Sequence, residues 1–137
     1  MMQISEYLLE RAICKDEDRK IYVPLIISLV SFSEKARRDG VLSMEQDLQE
    51  YKHLFVRLGM TLVIDGTDPT MVKKILMQSL ITSELKGKEL LEHIIIMEGC
   101  LAIMRGDHPE IVKINLCSLM GLNGQKILDE TWKKMGE

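Results

Sequence analysis

The chain has 137 residues, a length that predicts one domain rather than two. Hydrophobic residues make up 46% of the chain and charged residues 28%, a balance that excludes a wholly disordered protein. With a net charge of −3 and only six aromatic residues, the chain has neither the positive charge nor the stacking side chains typical of nucleic-acid binding. We therefore expect no nucleic-acid partner.

The cysteines and the N-terminus indicate the compartment. Cys14, Cys100 and Cys117 are odd in number and none stands in CxxC spacing, so we expect small buried side chains in a reducing compartment. The first residues have no basic start and no long apolar run, so no signal peptide is expected. The longest apolar stretch, residues 21–32, is too short to span a bilayer. These features predict a cytoplasmic protein without membrane insertion.

Helical periodicity predicts the elements of the first half of the chain. Residues 5–14 favour a short helix, and residues 15–20 form a charged link without apolar side chains. Apolar side chains at steps of three and four over residues 22–36 predict a longer helix that ends at Gly40. Residues 43–46 have the pattern of a capping box that opens another short helix.

Glycine and proline separate the predicted helices of the second half. Residues 55–65 are apolar and helical, and a second helix follows directly. Gly87 interrupts or bends the pattern after that helix, and residues 123–135 form the last helix. The residues expected to form turns and caps are Gly66, Asp68, Pro69, Gly106 and Pro109.

Two windows of the chain, residues 59–76 and 99–116, match when one is shifted by 40 residues. The identical pairs are Gly59/Gly99, Gly66/Gly106, Pro69/Pro109, Val72/Val112, Lys73/Lys113 and Leu76/Leu116. A glycine inside a helix costs about 1 kcal/mol relative to alanine, so matched glycines indicate a close contact between helices. The sequence therefore predicts an all-α, compact bundle of about six to seven helices with two pseudo-repeated helix–turn–helix hairpins.

No pattern of catalytic or metal-binding residues stands out. The three histidines, His53, His93 and His108, do not share a helical turn. Glu89 and His93 are spaced i, i+4, but one such pair more often lies in solvent than on a metal. His108 precedes a proline and is expected to cap a helix. We expect no enzyme, no cofactor and no metal, although a site assembled from distant residues such as Cys100 and His93 is an alternative.

Charged residues cluster at one predicted helix end. Residues 34–40 read EKARRDG, and Glu45 follows in the next element. Such runs usually form a solvated polar face. The functional alternative is a charged docking surface.

Two stretches resemble the A subunit of the bacterial flagellar stator, the motility protein A family. Residues 32–45 read FSEKARRDGVLSME, and residues 55–69 read FVRLGMTLVIDGTDP. They are similar to the segment between the family's second and third membrane helices. Residues 98–119 read EGCLAIMRGDHPEIVKINLCSL, which is similar to the family's tail after its fourth membrane helix. The resemblance covers residues 21–121, and the family's four membrane helices have no counterpart.

The resemblance implies a partner and the residues that bind it. In the family, an arginine and a glutamate of the first segment contact the rotor switch protein, and their motif positions match Arg37 and Glu45. Arg38 lies beside them. The family's ion-pathway residues are missing, so ion conduction is not expected. The resemblance predicts a non-enzymatic interaction protein of the flagellar motor that docks on the rotor switch or on stator components, with contact to the inner-membrane surface left open. The alternative is a helical adaptor or regulator unrelated to motility.

Overall fold

The computed structural model describes the backbone of residues 4–135 and the side chains of residues 6–131. Over this range the chain forms α-helices, one 3₁₀ turn at Val41–Met44 and no strand, which confirms the predicted all-α bundle. The helices are α1 (Ile4–Arg11), α2 (Asp16–Lys20), α3 (Val23–Asp39), α4 (Glu45–Gln49), α5 (Leu54–Ile64), α6 (Pro69–Ile81), α7 (Gly87–Arg105), α8 (Pro109–Ser118) and α9 (Gly124–Met135). The N-terminal residues 1–3, considered above for a signal peptide, lie outside this range.

Helix α7 forms the centre of the bundle. It is apolar on nearly every side: eleven residues between Leu90 and Ile103 are buried, and the consecutive buried residues 94–97 cover its whole circumference. A helix with this pattern needs neighbours in all directions. Helices α1, α3, α5, α6 and α8 supply them, and α8 also packs on α3 and α9. Within residues 4–135, no helix combines the length and the apolar character that crossing a bilayer requires.

The predicted repeat corresponds to two hairpins, α5–α6 and α7–α8. Both turns have the same bonds: Gly66 N donates to Val63 O and Gly106 N to Ile103 O, each at 3.1 Å. The backbone N–H of the residue after each glycine donates to the carbonyl oxygen one residue before that acceptor, also at 3.1 Å. This second bond completes a Schellman motif. The paired residues Val72/Val112 and Leu76/Leu116 are all fully buried.

The matched glycines permit two close helix contacts. A Cβ atom on Gly59 would lie 2.7 Å from Cys100 Sγ, so α5 approaches α7 at this point. A Cβ atom on Gly99 would lie 2.9 Å from Leu29 Cδ1, so α7 approaches α3. The expected close contacts between helices are confirmed. The two matched glycines contact different helices, Gly59 facing α7 and Gly99 facing α3.

Three local predictions are wrong. The described part of the chain has nine α-helices rather than six or seven, because the charged link is a five-residue helix, α2, and because α6 and α7 are separate. The capping box is absent: Ser43 Oγ donates to Gly40 O at 2.6 Å within the 3₁₀ turn, and α4 has no side-chain cap. The first helix ends at Arg11 rather than at Cys14.

Candidate functional site

We define the charged face as Arg37, Arg38 and Glu45. All three side chains are exposed. The two arginines lie in the last turn of α3, and Glu45 is the first residue of α4. The 3₁₀ turn between them is anchored by Met44, which is 1% exposed. The face is therefore presented on a short connection that is packed against the core.

Arg37 has a structural contact that the sequence did not indicate. Its Nη1 donates to the carbonyl oxygen of Gly106 at 2.8 Å. Gly106 ends α7 with a φ of 73°, so the guanidinium lies at the negative end of the helix dipole. The contact links α3 to the turn of the second hairpin, and it leaves the other guanidinium N–H groups available.

The other two members of the charged face differ in their partners. Arg38 Nε lies 3.2 Å from Asp39 Oδ2, an exposed pair that contributes little to stability. The Glu45 carboxylate makes no hydrogen bond or ion pair with any residue the structure describes. Nearby, Lys35 forms an ion pair with Asp47 and so joins α3 to α4. The Glu45 carboxylate is thus unpaired among the described residues and lies eight positions along the chain from Arg37.

The predicted turn and cap residues shape the hairpins. Asp68 Oδ1 accepts from Thr70 N at 2.9 Å and from Met71 N at 3.3 Å. His108 Nδ1 accepts from Glu110 N at 3.2 Å. Pro69 and Pro109 each occupy the first helical position, where the missing N–H has no consequence. The two hairpins therefore use the same architecture with different capping side chains.

A second polar cluster joins residues that are distant in the sequence. His53 Nε2 lies 2.8 Å from Glu92 Oε1, and His93 Nδ1 lies 4.0 Å from the same oxygen. The imidazole rings are 5.1 Å apart and meet edge to face. The expected surface pair has a different form: His93 Nδ1 bonds the backbone carbonyl of Glu89 at 2.7 Å. We call His53, Glu92 and His93 the histidine cluster.

Sequence reasoning missed the histidine cluster in two ways. His53 precedes the apolar start of α5 and caps it, since its Nδ1 accepts from Phe55 N at 3.2 Å. The same position of His108 before α8 could have suggested this role. No sequence signal pairs His53 with Glu92, because they are 39 residues apart and meet only when α5 packs on α7.

The cysteines have the environment of apolar side chains. Cys100 is fully buried, and burial raises the pKa of its thiol to about 12. Cys117 is buried as well, and burial raises its pKa to about 11. A thiol with so high a pKa carries almost no thiolate at neutral pH. The arrangement therefore argues against Cys100 as a nucleophile.

Comparison with known proteins relates part of the chain to spirochaete motility proteins. It is 43% identical to Motility protein A of Borreliella burgdorferi over 54 residues. This matched stretch is 39% of this chain and 21% of that protein. Over 58 residues it is 38% identical to Motility protein A of Treponema pallidum, with 42% of this chain and 22% of that protein covered. The chain is related in part to Motility protein A.

The same comparisons define how far the relationship extends. The uncharacterized protein YtxD of Bacillus subtilis is 30% identical over 88 residues, which are 62% of this chain and 32% of that protein. The chain spans about a fifth of the length of the two spirochaete relatives. No protein-family model matches the chain. No solved structure matches it either.

Proposed function

We propose that the chain is a non-enzymatic, cytoplasmic interaction protein of the flagellar motor, and that it docks through the charged face on the rotor switch protein or on another motor component. The partial identity to Motility protein A carries this proposal. The exposure of Arg37, Arg38 and Glu45 supports it, because a docking charge must be accessible to its partner.

The electrostatics of the charged face suit recognition more than tight binding. Exposed ion pairs contribute about 0–1 kcal/mol each, so three charges alone give modest affinity. Complementary charges do accelerate association and select between partners. The hydrogen bond from Arg37 to Gly106 holds one guanidinium in a defined position before the partner arrives. We propose that the turn and cap residues Gly66, Asp68, Pro69, Gly106 and Pro109 act as scaffold for this face.

The test measures association of the full chain with the purified rotor switch protein at low and at high salt. The variants Arg38→Glu and Glu45→Lys reverse charges that have no contact with Gly106. We expect association about threefold to tenfold slower in each variant, and a smaller salt dependence. Arg37→Glu should have the same effect, with an additional loss of stability because the bond to Gly106 is lost.

Matched controls come from exposed charges elsewhere on the surface. Arg57→Glu on α5 and Glu130→Lys on α9 make the same changes in net charge on helices that do not carry the charged face. If these controls slow association as much as Arg38→Glu and Glu45→Lys, general charge and not the face governs binding. Absence of binding in the unmodified chain would favour a helical adaptor unrelated to motility.

A further inference from the structure

We propose that the histidine cluster is a binding site for a divalent transition-metal ion, with zinc as the best fit. The site lies apart from the charged face and does not depend on the proposed function. Two imidazoles and one carboxylate are a ligand set that zinc uses widely in proteins. The three ligands join the residue that caps α5 to two consecutive residues of α7.

The distances between the ligand atoms fit one ion. One nitrogen from each histidine and one carboxylate oxygen of Glu92 all lie within 4.8 Å of one another. Tetrahedral zinc with bonds of about 2.1 Å places its ligand atoms about 3.4 Å apart. The separation between His53 Nε2 and Glu92 Oε1, 2.8 Å, lies slightly below that value. Since the outer limit of the ligand-atom separations is 4.8 Å, side-chain adjustments of up to about 1.4 Å would bring the set into place.

One hydrogen bond to a residue outside the cluster orients His93 as a ligand. Its Nδ1–H donates to the carbonyl of Glu89 at 2.7 Å, and the other ring nitrogen keeps its lone pair. Metal-binding histidines usually have this bond to a backbone carbonyl or a carboxylate behind them. The ring of Phe55 packs on His93 with centroids 5.1 Å apart, which restricts its rotation.

The capping role of His53 limits the affinity of the site for zinc. Without an ion, Nδ1 accepts from Phe55 N while Nε2 donates to Glu92. Zinc on Nε2 moves that ring proton to Nδ1, where it can no longer accept from Phe55 N. The ion therefore competes with the cap of α5, and we expect a Kd in the micromolar range.

The surroundings of the cluster favour a cation. The Glu92 carboxylate is paired only with the two histidines among residues 6–131, so no lysine or arginine neutralises it. The three side chains are 20–30% exposed, which leaves a path for the ion and a place for water as the fourth ligand.

The experiment is a calorimetric titration of the chelator-treated full chain with zinc chloride, at about pH 7.5. We expect saturable binding of one zinc per chain and a rise in Tm with zinc concentration. Glu92→Gln, His93→Gln and His53→Asn should each weaken binding at least about tenfold. Asparagine at position 53 can still cap α5, and glutamine at position 92 keeps the shape of glutamate, so circular dichroism should show all three variants folded.

The third histidine supplies the control. His108 also caps a helix through Nδ1, so His108→Asn makes the same chemical change outside the histidine cluster. It should leave zinc affinity unchanged within about twofold. The half-buried thiol of Cys14 is the other candidate ligand, so Cys14→Ser should bind zinc normally. No saturable binding, equal weakening by His108→Asn, or a thiolate absorption band with cobalt in place of zinc would overturn the proposal.

Discussion

Cys100 and Cys117 illustrate how burial changes the chemistry of a single side chain. Both thiols are buried, and desolvation raises the pKa of Cys100 to about 12 and of Cys117 to about 11. Cys14 is half-buried near the end of α1. Since the thiolate is the reactive form, reactivity should follow exposure.

We predict that iodoacetamide at about pH 8.5 modifies Cys14 rapidly in the folded chain, whereas Cys100 and Cys117 react only as fast as the chain unfolds. Mass spectrometry of the alkylated peptides measures the three rates. In urea all three thiols should react alike, which serves as the control. Rapid modification of Cys100 under native conditions would contradict the buried environment.

The same pKa values predict a loss of stability in base. The folded state keeps the Cys100 thiol protonated, while the unfolded chain releases that proton from about pH 9. The stabilisation is therefore complete below about pH 9 and decreases as the pH rises towards 12. Urea denaturation at several pH values measures the free energy of unfolding. This free energy should depend less on pH in Cys100→Ala than in the unmodified chain, even if the variant is less stable at every pH.

The contact between Gly59 and Cys100 allows a test of close packing. An alanine at position 59 would place its methyl group 2.7 Å from Cys100 Sγ. We predict that Gly59→Ala lowers the free energy of unfolding by about 1–2 kcal/mol, since overpacking outweighs the gain in helix propensity.

Adding Cys100→Ala removes the sulfur and should relieve that clash. The double variant should be more stable than the sum of the two single effects by about 1 kcal/mol. Urea denaturation followed by circular dichroism measures all three variants. Simple additivity would mean that the two residues do not meet.

At the scale of elements, Arg11 connects α1 to the junction between α6 and α7. Its Nε donates to Leu85 O, and its Nη2 donates to Leu80 O, both at 2.9 Å. The same Nη2 lies 3.2 Å from Ser83 O. These carbonyls belong to the end of α6 and to the connection after it, so one side chain binds α1 to both; Leu80 O also accepts from Ser83 N and Ser83 Oγ.

We predict that Arg11→Met destabilises the chain by about 2 kcal/mol, because the apolar stem remains while the charged hydrogen bonds are lost. Hydrogen exchange should become faster in α1 and in residues 82–86. Arg57→Met is the control, since the Arg57 side chain is exposed and makes no hydrogen bond with any residue that the structure describes. A similar loss in both variants would remove the special role of Arg11.

At the scale of the whole molecule, the buried side chains form one hydrophobic cluster that runs from Leu8 in α1 to Leu128 in α9. We propose that residues 4–135 act as a single domain on this basis. We predict one cooperative unfolding transition, in which loss of helix by circular dichroism and exposure of the Cys100 thiol coincide along a urea gradient. Two separated transitions would instead divide the bundle into independent units.

The sequence by itself determined the helical class, the two hairpins and their turns. Each of these depends on neighbours along the chain: apolar side chains at helical spacing, Gly66 and Gly106 at positive φ, and proline in the first turn. The charged face could be named from sequence, because Arg37 and Glu45 are close along the chain and match a family motif. Its role as a docking surface stays a prediction.

Only the tertiary structure decided which distant residues meet. Arg37 reaches Gly106 across 69 residues, and His53 reaches Glu92 across 39. Neither contact has a periodicity or a spacing that a pattern could reveal, because each depends on how α3 and α5 pack around α7. Side-chain bonds of this kind follow from the arrangement of whole helices, which is set by burial of the apolar surface of all of them together.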